Sequence, residues 1–233
     1  MKDGFVRVAA AIPKISVADT TANTEAILAK VREMQALGTK IMVLPELCIT
    51  GYTCQDLFWQ SRLLTEAKEA LLQIARETAD VDALLFVGLP MEIYGKLFNV
   101  AAALCHGEIL GLVPKTHIPS YAEFYEGRHF TAGPKEITEV QLGDRKVPFG
   151  SRQIFACETL PELKVAAEIC EDLWVPCPPS TAHAMAGATV IVNLSASDEM
   201  TGKDTYRRQL VSAQSASLIC GYIYATAGEG ESS

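Results

Sequence analysis

Apolar residues recur along this chain with two periods, and the alternation between them sets out an architecture. From residue 21 to 37 they return at helical spacing (Ile27, Val31, Met34) and stop at Gly38, which predicts an amphipathic helix. Short continuous apolar runs on either side, over residues 5–12 and 40–44, read as strands. Further along, helices are predicted over 64–79, 178–186 and 203–218, and strands over 83–89, 99–105, 108–113, 151–156, 163–169, 188–194 and 222–227. His106 and Gly107 form a two-residue polar turn between two strands, so a hairpin is expected there and the sheet should be mixed. The pattern predicts an α/β fold, a class that usually places ligands at the carboxyl ends of its strands.

Three of those strand ends run directly into a reactive side chain. They are Glu46 in VLPELCITGY, Lys115 in GLVPKTHIP and Cys170 in VAAEICEDLW. A carboxylate, an ammonium and a thiol brought to one sheet edge supply the base, oxyanion stabiliser and nucleophile of acyl transfer through a thioester. Cys170 is followed at once by Glu171 and Asp172, so its sulfur is expected to face a loop and backbone N–H groups, a setting that can lower a thiol pKa. Glu46 lies between the apolar stretches IMVLP and LCITGY, where a carboxylate can act as general base near neutral pH. His117 and His129 share the loop after Lys115 and are expected to be structural or to support the site from behind its reacting groups. The glycine-rich GEGES segment lacks the lysine and serine of a phosphate loop.

With 233 residues, 49% of them hydrophobic, the chain can bury one sizeable core and is expected to form one domain over residues 1–233. A net charge of -8 with no basic cluster argues against nucleic acid. No segment has the layout of a spanning helix or a signal peptide, so no membrane partner is expected and the cytoplasm is the default location. The seven cysteines are odd in number and scattered, which suits reduced thiols, and neither CxxC nor zinc-ligand spacing occurs, so no metal is expected.

These motifs resemble the nitrilase, or carbon-nitrogen hydrolase, superfamily, and within it the glutamine-hydrolysing branch found in glutamine-dependent NAD synthetases. PELCITGYTCQDLF is similar to that branch's PEL-x-x-TGY-x-x-x-DL stretch, YAEFYEGRHF to its Tyr-x-x-Phe-x-Glu stretch, and CEDLW to its Cys-Glu-Asp-x-Trp form; NLSAS and the later GK resemble it again. The resemblance implies an α-β-β-α sandwich with two mixed sheets. It implies that Cys170 attacks the carboxamide of L-glutamine, that Glu46 is the base, that Lys115 with the Glu171 N–H holds the oxyanion, and that Glu126 orients the lysine. Tyr52, Tyr121, Phe124, Glu171, Ser197 and Lys203 match its substrate-binding positions. It further implies a homo-oligomer, no cofactor for this domain, and a synthetase domain using ATP and Mg as the partner that consumes the ammonia.

No synthetase domain follows in this sequence, and the family's later strands are expected to be missing after Ser233, leaving an open sheet edge. Two other readings stay open at this point: a free-standing amidase acting on another small carboxamide, and a non-catalytic piece.

Overall fold

The computed structural model describes residues 4–228, 230 and 231. The glycine-rich stretch 228–232 therefore lies partly outside the described residues. The first sheet has seven strands, and its spatial order is β1 (Val8–Ala10), β2 (Ile41–Val43), β3 (Leu84–Ile93), β4 (Lys96–Cys105), β5 (Glu108–Pro114), β7 (Arg145–Phe149), β6 (Thr138–Leu142). The second has four, in the order β11 (Gly221–Thr226), β10 (Val190–Ser195), β9 (Leu160–Ile169), β8 (Phe155–Cys157). Both mix parallel and antiparallel pairs, as the resemblance implied.

Alternation along the strands builds the layers. Ile41, Val43, Phe86, Ala101, Ala103 and Val113 of the first sheet meet Val165, Ala167, Ile169, Val192, Leu194, Ile223 and Ala225 of the second in one buried cluster. The opposite face of the first sheet packs on α1 (Thr20–Ala36) and α2 (Ser61–Glu77) through Ile27, Val31, Met34, Leu71 and Ile74. α3 (Pro179–Met185) and α4 (Lys203–Leu218) lie beside the second sheet, which completes an α-β-β-α sandwich. α1 starts where the Asp19 side chain accepts the Ala22 N–H at 3.0 Å, and Gly38 follows its end at φ 73°, a conformation that suits glycine.

Several elements depart from expectation. The pattern assigns no element to the pair β6 and β7: both strands are short and polar, β6 forms the edge of the sheet, and β7, which contains Pro148, pairs with β5 only at Phe149. β3 and β4 form a long hairpin turning at Tyr94 and Gly95, both at positive φ like His106 and Gly107. A tyrosine at the first turn position hides the usual hairpin signal. β1 pairs over three residues rather than the eight expected.

The outward face of the second sheet is polar near its carboxyl end, where Glu168 is 1% exposed and both its oxygens accept hydrogen bonds, from the Tyr222 hydroxyl and from Ser180 N. Burial lifts this carboxyl from 4.5 to about 7, with Asp172 adding to the rise and the Tyr222 and Ser180 hydrogen bonds opposing it. The folded chain then holds a proton that the unfolded chain releases. The stability this contributes is present below about pH 4.5 and lost as pH rises through about 7. Melting temperatures measured across that window should fall less steeply for Glu168→Gln than for the unsubstituted chain; equal slopes would contradict the shift.

Candidate active site

Glu46 leaves the end of β2 in a tight turn. Leu44 N donates to Phe86 O at 3.1 Å, Glu46 N to Ser195 O at 3.3 Å, and Leu47 takes φ 51°. The turn lies directly on Gly88 of β3, where a Cβ would fall 2.4 Å from Leu47 N and 2.5 Å from Pro45 O. Alanine normally gains roughly 0.5–1 kcal/mol over glycine inside a strand. Here the clash is with backbone, which cannot rotate aside, and overpacking of this kind costs about 1–3 kcal/mol. Gly88→Ala should therefore lower the melting temperature and displace Glu46; an unchanged or raised melting temperature would show that the turn is not held there.

Lys115 follows Pro114 at the end of β5, its N–H bonded to Asn99 O and its carbonyl to Gly133 N, each at 2.8 Å. Its side chain has no exposure, and Nζ lies 2.7 Å from Glu46 Oε1 and 2.6 Å from Glu126 Oε1. Asn99 Nδ2 donates to Glu46 Oε1 at 2.6 Å, Ala196 N to Glu46 Oε2 at 2.9 Å, and the Tyr52 hydroxyl to Glu126 Oε1 at 2.9 Å. An isolated buried ammonium would be neutralised. Burial does press the Lys115 pKa down, but the Glu126 and Glu46 carboxylates outweigh it and keep it well above its ordinary value. Glu126 is raised by burial, countered by Lys115 and reinforced by Glu46.

Cys170 opens a 3-10 turn, Cys170–Leu173, at the end of β9. It takes φ 43°, uncommon for a residue with a side chain, and its N–H donates to Asn193 Oδ1 at 3.1 Å. Asp172 joins this turn to the Lys115 loop: it accepts from Ile169 N at 3.1 Å, Thr116 Oγ1 at 2.6 Å and His117 N at 2.8 Å, with His117 Nδ1 also at 2.8 Å. His129 is buried among the rings of Phe58, Trp59 and Phe130.

Of the expected groups, Lys115 bonds Glu46 and Glu126 directly, and all three act electrostatically on the Cys170 thiol. The expected direction of the thiol pKa is wrong. Burial, with Glu46 next in effect and Lys115 opposing, pushes it up to about 12. The helix-like turn cannot offset the loss of water around a thiol that is 4% exposed. Such a thiol rests protonated and needs an adjacent base.

The flank of this cluster carries the remaining expected residues. Tyr121 donates to Glu171 Oε2 at 2.9 Å and packs edge-on against Phe124 with ring centroids 5.7 Å apart. Burial raises the Glu171 carboxyl. The Lys203 ammonium pairs with Asp198 and stands 5.7 Å from the Phe124 ring centroid and 5.3 Å from that of Trp174. Ser197 is buried, its N–H donating to Thr226 Oγ1 at 3.2 Å. The Tyr52 hydroxyl, for its part, donates to Glu126. Residues that sequence reasoning passed over are Asn99, Asp172, Asn193, Asp198 and Arg207, the last donating to Asp198 O at 3.2 Å. Asn99 had a signal, a lone amide within the apolar run LFNVAAAL.

Among the described residues no cluster of His, Cys, Asp and Glu suits a metal ion, and no helix is long and apolar enough to cross a membrane.

The carbon-nitrogen hydrolase family matches residues 7–228. A glutamine-dependent NAD(+) synthetase of Mycobacterium tuberculosis is 41% identical over 229 residues, covering 98% of this chain and 34% of that protein. One from Aquifex aeolicus is 30% identical over 218 residues, covering 93% of this chain and 35% of that protein. Among solved structures, a glutamine-dependent NAD(+) synthetase from Cytophaga hutchinsonii superposes with TM-score 0.86 at 32% identity, over 96% of this chain and 36% of its own. An amidase from Nesterenkonia sp., at 20% identity and TM-score 0.73 over 97% of this chain and 78% of its own, shares the fold. The chain thus spans about a third of the length of the curated relatives it matches.

Proposed function

Because this chain belongs to the carbon-nitrogen hydrolase family, we propose that it is a glutaminase that hydrolyses L-glutamine to glutamate and ammonia through a thioester on Cys170. The observation that carries this reading is the buried Lys115 ammonium held between Glu46 and Glu126, with the Cys170 thiol in their field. The similarity to glutamine-dependent NAD(+) synthetases supports the choice of amide.

In this mechanism Glu46 takes the Sγ proton as sulfur attacks the carboxamide carbon. The carbonyl electrons move to oxygen, and the oxyanion is met by the Lys115 ammonium and the Glu171 N–H. Collapse restores the carbonyl and breaks the C–N bond, with Glu46 returning the proton so that ammonia leaves. Water then gives a proton to Glu46, adds to the thioester carbon, and the thiol departs with that proton. A thiol raised to about 12 suits this cycle, since the thiolate forms only as the base accepts its proton. Glu126 and Tyr52 orient Lys115. Tyr121, Phe124 and Glu171 form the wall for the α-ammonium, and Ser197 with Lys203 receives the α-carboxylate, Lys203 being shared with Asp198. In the longer relatives' context the ammonia would amidate deamido-NAD in a partner synthetase region using ATP and Mg, within a cytoplasmic homo-oligomer.

Steady-state hydrolysis of L-glutamine and of a simple aliphatic amide tests the choice of substrate. Glutamine should be preferred in kcat/KM, and Glu171→Gln should raise the glutamine KM by about tenfold or more while leaving the simple amide's unchanged, because a hydrogen-bonded charge is lost. A simple amide turned over as well as glutamine would favour a free-standing amidase.

A further inference from the structure

Behind the nucleophile, on the outward face of the second sheet, lies a buried polar chain that the hydrolytic steps do not use. The β9–β10 ladder ends at the pair Ile169 and Leu194, so the Cys170 N–H is the first beyond it and has no strand partner. Its acceptor is the Asn193 side-chain oxygen, at 3.1 Å. The same amide's Nδ2 donates to the Tyr222 hydroxyl at 3.2 Å, and that hydroxyl donates in turn to Glu168 Oε1. Glu168 and Asn193 are neighbours in the register and almost fully buried.

Once Glu168 is ionised, the direction of these bonds is fixed. An ionised Glu168 can only accept, and Ser180 N occupies its second oxygen at 2.8 Å. Tyr222 must therefore spend its single proton on Glu168 and present a lone pair to Asn193. The amide then has to turn its nitrogen to Tyr222 and its oxygen to the Cys170 N–H, since the flipped amide would set N–H against N–H. A carboxylate two hydrogen bonds away thus fixes the acceptor that holds Cys170 at φ 43°.

We propose that Glu168, Tyr222 and Asn193 form a one-way hydrogen-bond relay that positions Cys170 for catalysis. These are positioning residues, acting through the Cys170 peptide. The proposal rests on Cys170 being the nucleophile.

The test uses Tyr222→Phe, Glu168→Gln and the double variant, assayed near pH 8, where a carboxyl of pKa about 7 is ionised. Glutamine turnover is normalised to the Cys170 that iodoacetamide labels, located by peptide mass spectrometry, and the rate of that labelling is recorded too. Each single variant should lose about tenfold in kcat, the worth of one hydrogen bond, with KM within about twofold. Labelling of Cys170 should slow in parallel, and the double variant should lose no more than either single one, because both break the same relay. Buried Cys48 and Cys54 should stay unlabelled. Unchanged kcat and labelling in Tyr222→Phe, or additive losses in the double variant, would overturn the relay. Labelling of Cys48 and Cys54 would also overturn it, since the network would then be holding the fold and not the nucleophile. Should the unsubstituted chain turn over no glutamine, the proposed function fails, and the labelling rates alone decide the relay.

Discussion

Replacing Cys170 with alanine is expected to remove glutamine hydrolysis, by on the order of 10⁴-fold or more, while the fold persists. The reasoning is chemical: no other group in the cluster can form the acyl intermediate. Glu46 and Lys115 are held 2.7 Å apart by their own ion pair, and Glu126 is occupied by Lys115 and Tyr52. Alanine keeps the Cβ and the backbone N–H donated to Asn193, so the strain at this position is unchanged and stability should shift by no more than about 1 kcal/mol. Turnover retained in a well-folded Cys170→Ala chain would remove the thioester from the account. A matching loss of fold would leave the nucleophile unassigned to Cys170, and the more conservative Cys170→Ser would then be compared.

The second large effect separates the two charged partners. Lys115→Met preserves the length of the side chain and deletes the ammonium, so oxyanion stabilisation should fall and cost about a hundredfold or more in kcat. It also leaves Glu46 and Glu126 buried without their shared counter-charge, and breaking such a pair from one side typically destabilises by about 3–5 kcal/mol. Glu46→Gln removes the proton acceptor for both half-reactions. It also sets an amide N–H₂ among three donors, Asn99 Nδ2, Lys115 Nζ and Ala196 N. A comparable or larger loss of kcat is expected, with a smaller drop in melting temperature because the Lys115–Glu126 pair survives. If Lys115→Met kept near-normal kcat in folded protein, the lysine would be structural only. If Glu46→Gln did so, another base would have to be found.

The parts of this site that could be read from sequence are those where an apolar run ends in a polar side chain: Glu46, Lys115 and Cys170 each follow a strand, Glu46 and Lys115 pair directly, and both act electrostatically on the Cys170 thiol. α4 was likewise legible, its bounds Lys203–Leu218 matching the periodicity. What sequence hides is whatever depends on distance in space. The thiol of Cys170 was expected to be acidified by the turn that follows it, yet its burial, created by strands from both sheets, moves it the other way. Tyr52 matched a substrate-binding position, and only the fold shows its hydroxyl committed to Glu126, 74 residues on. Asn193 sits in NLSAS, a motif already noticed, but its role as acceptor for Cys170 depends on the register of β9 against β10. The pair β6 and β7 was missed because an edge hairpin needs little apolar patterning to form.

Hydrolysis by this route passes through a glutamyl thioester on Cys170. Rapid mixing of the chain with L-glutamine, acid quenching within a turnover and mass spectrometry of the peptide bearing Cys170 tests it directly. A glutamyl adduct is expected on that peptide, formed at least as fast as ammonia is released and absent from Cys170→Ala. Ammonia release with Cys170 unmodified at every time point, or an adduct on another residue, would contradict it.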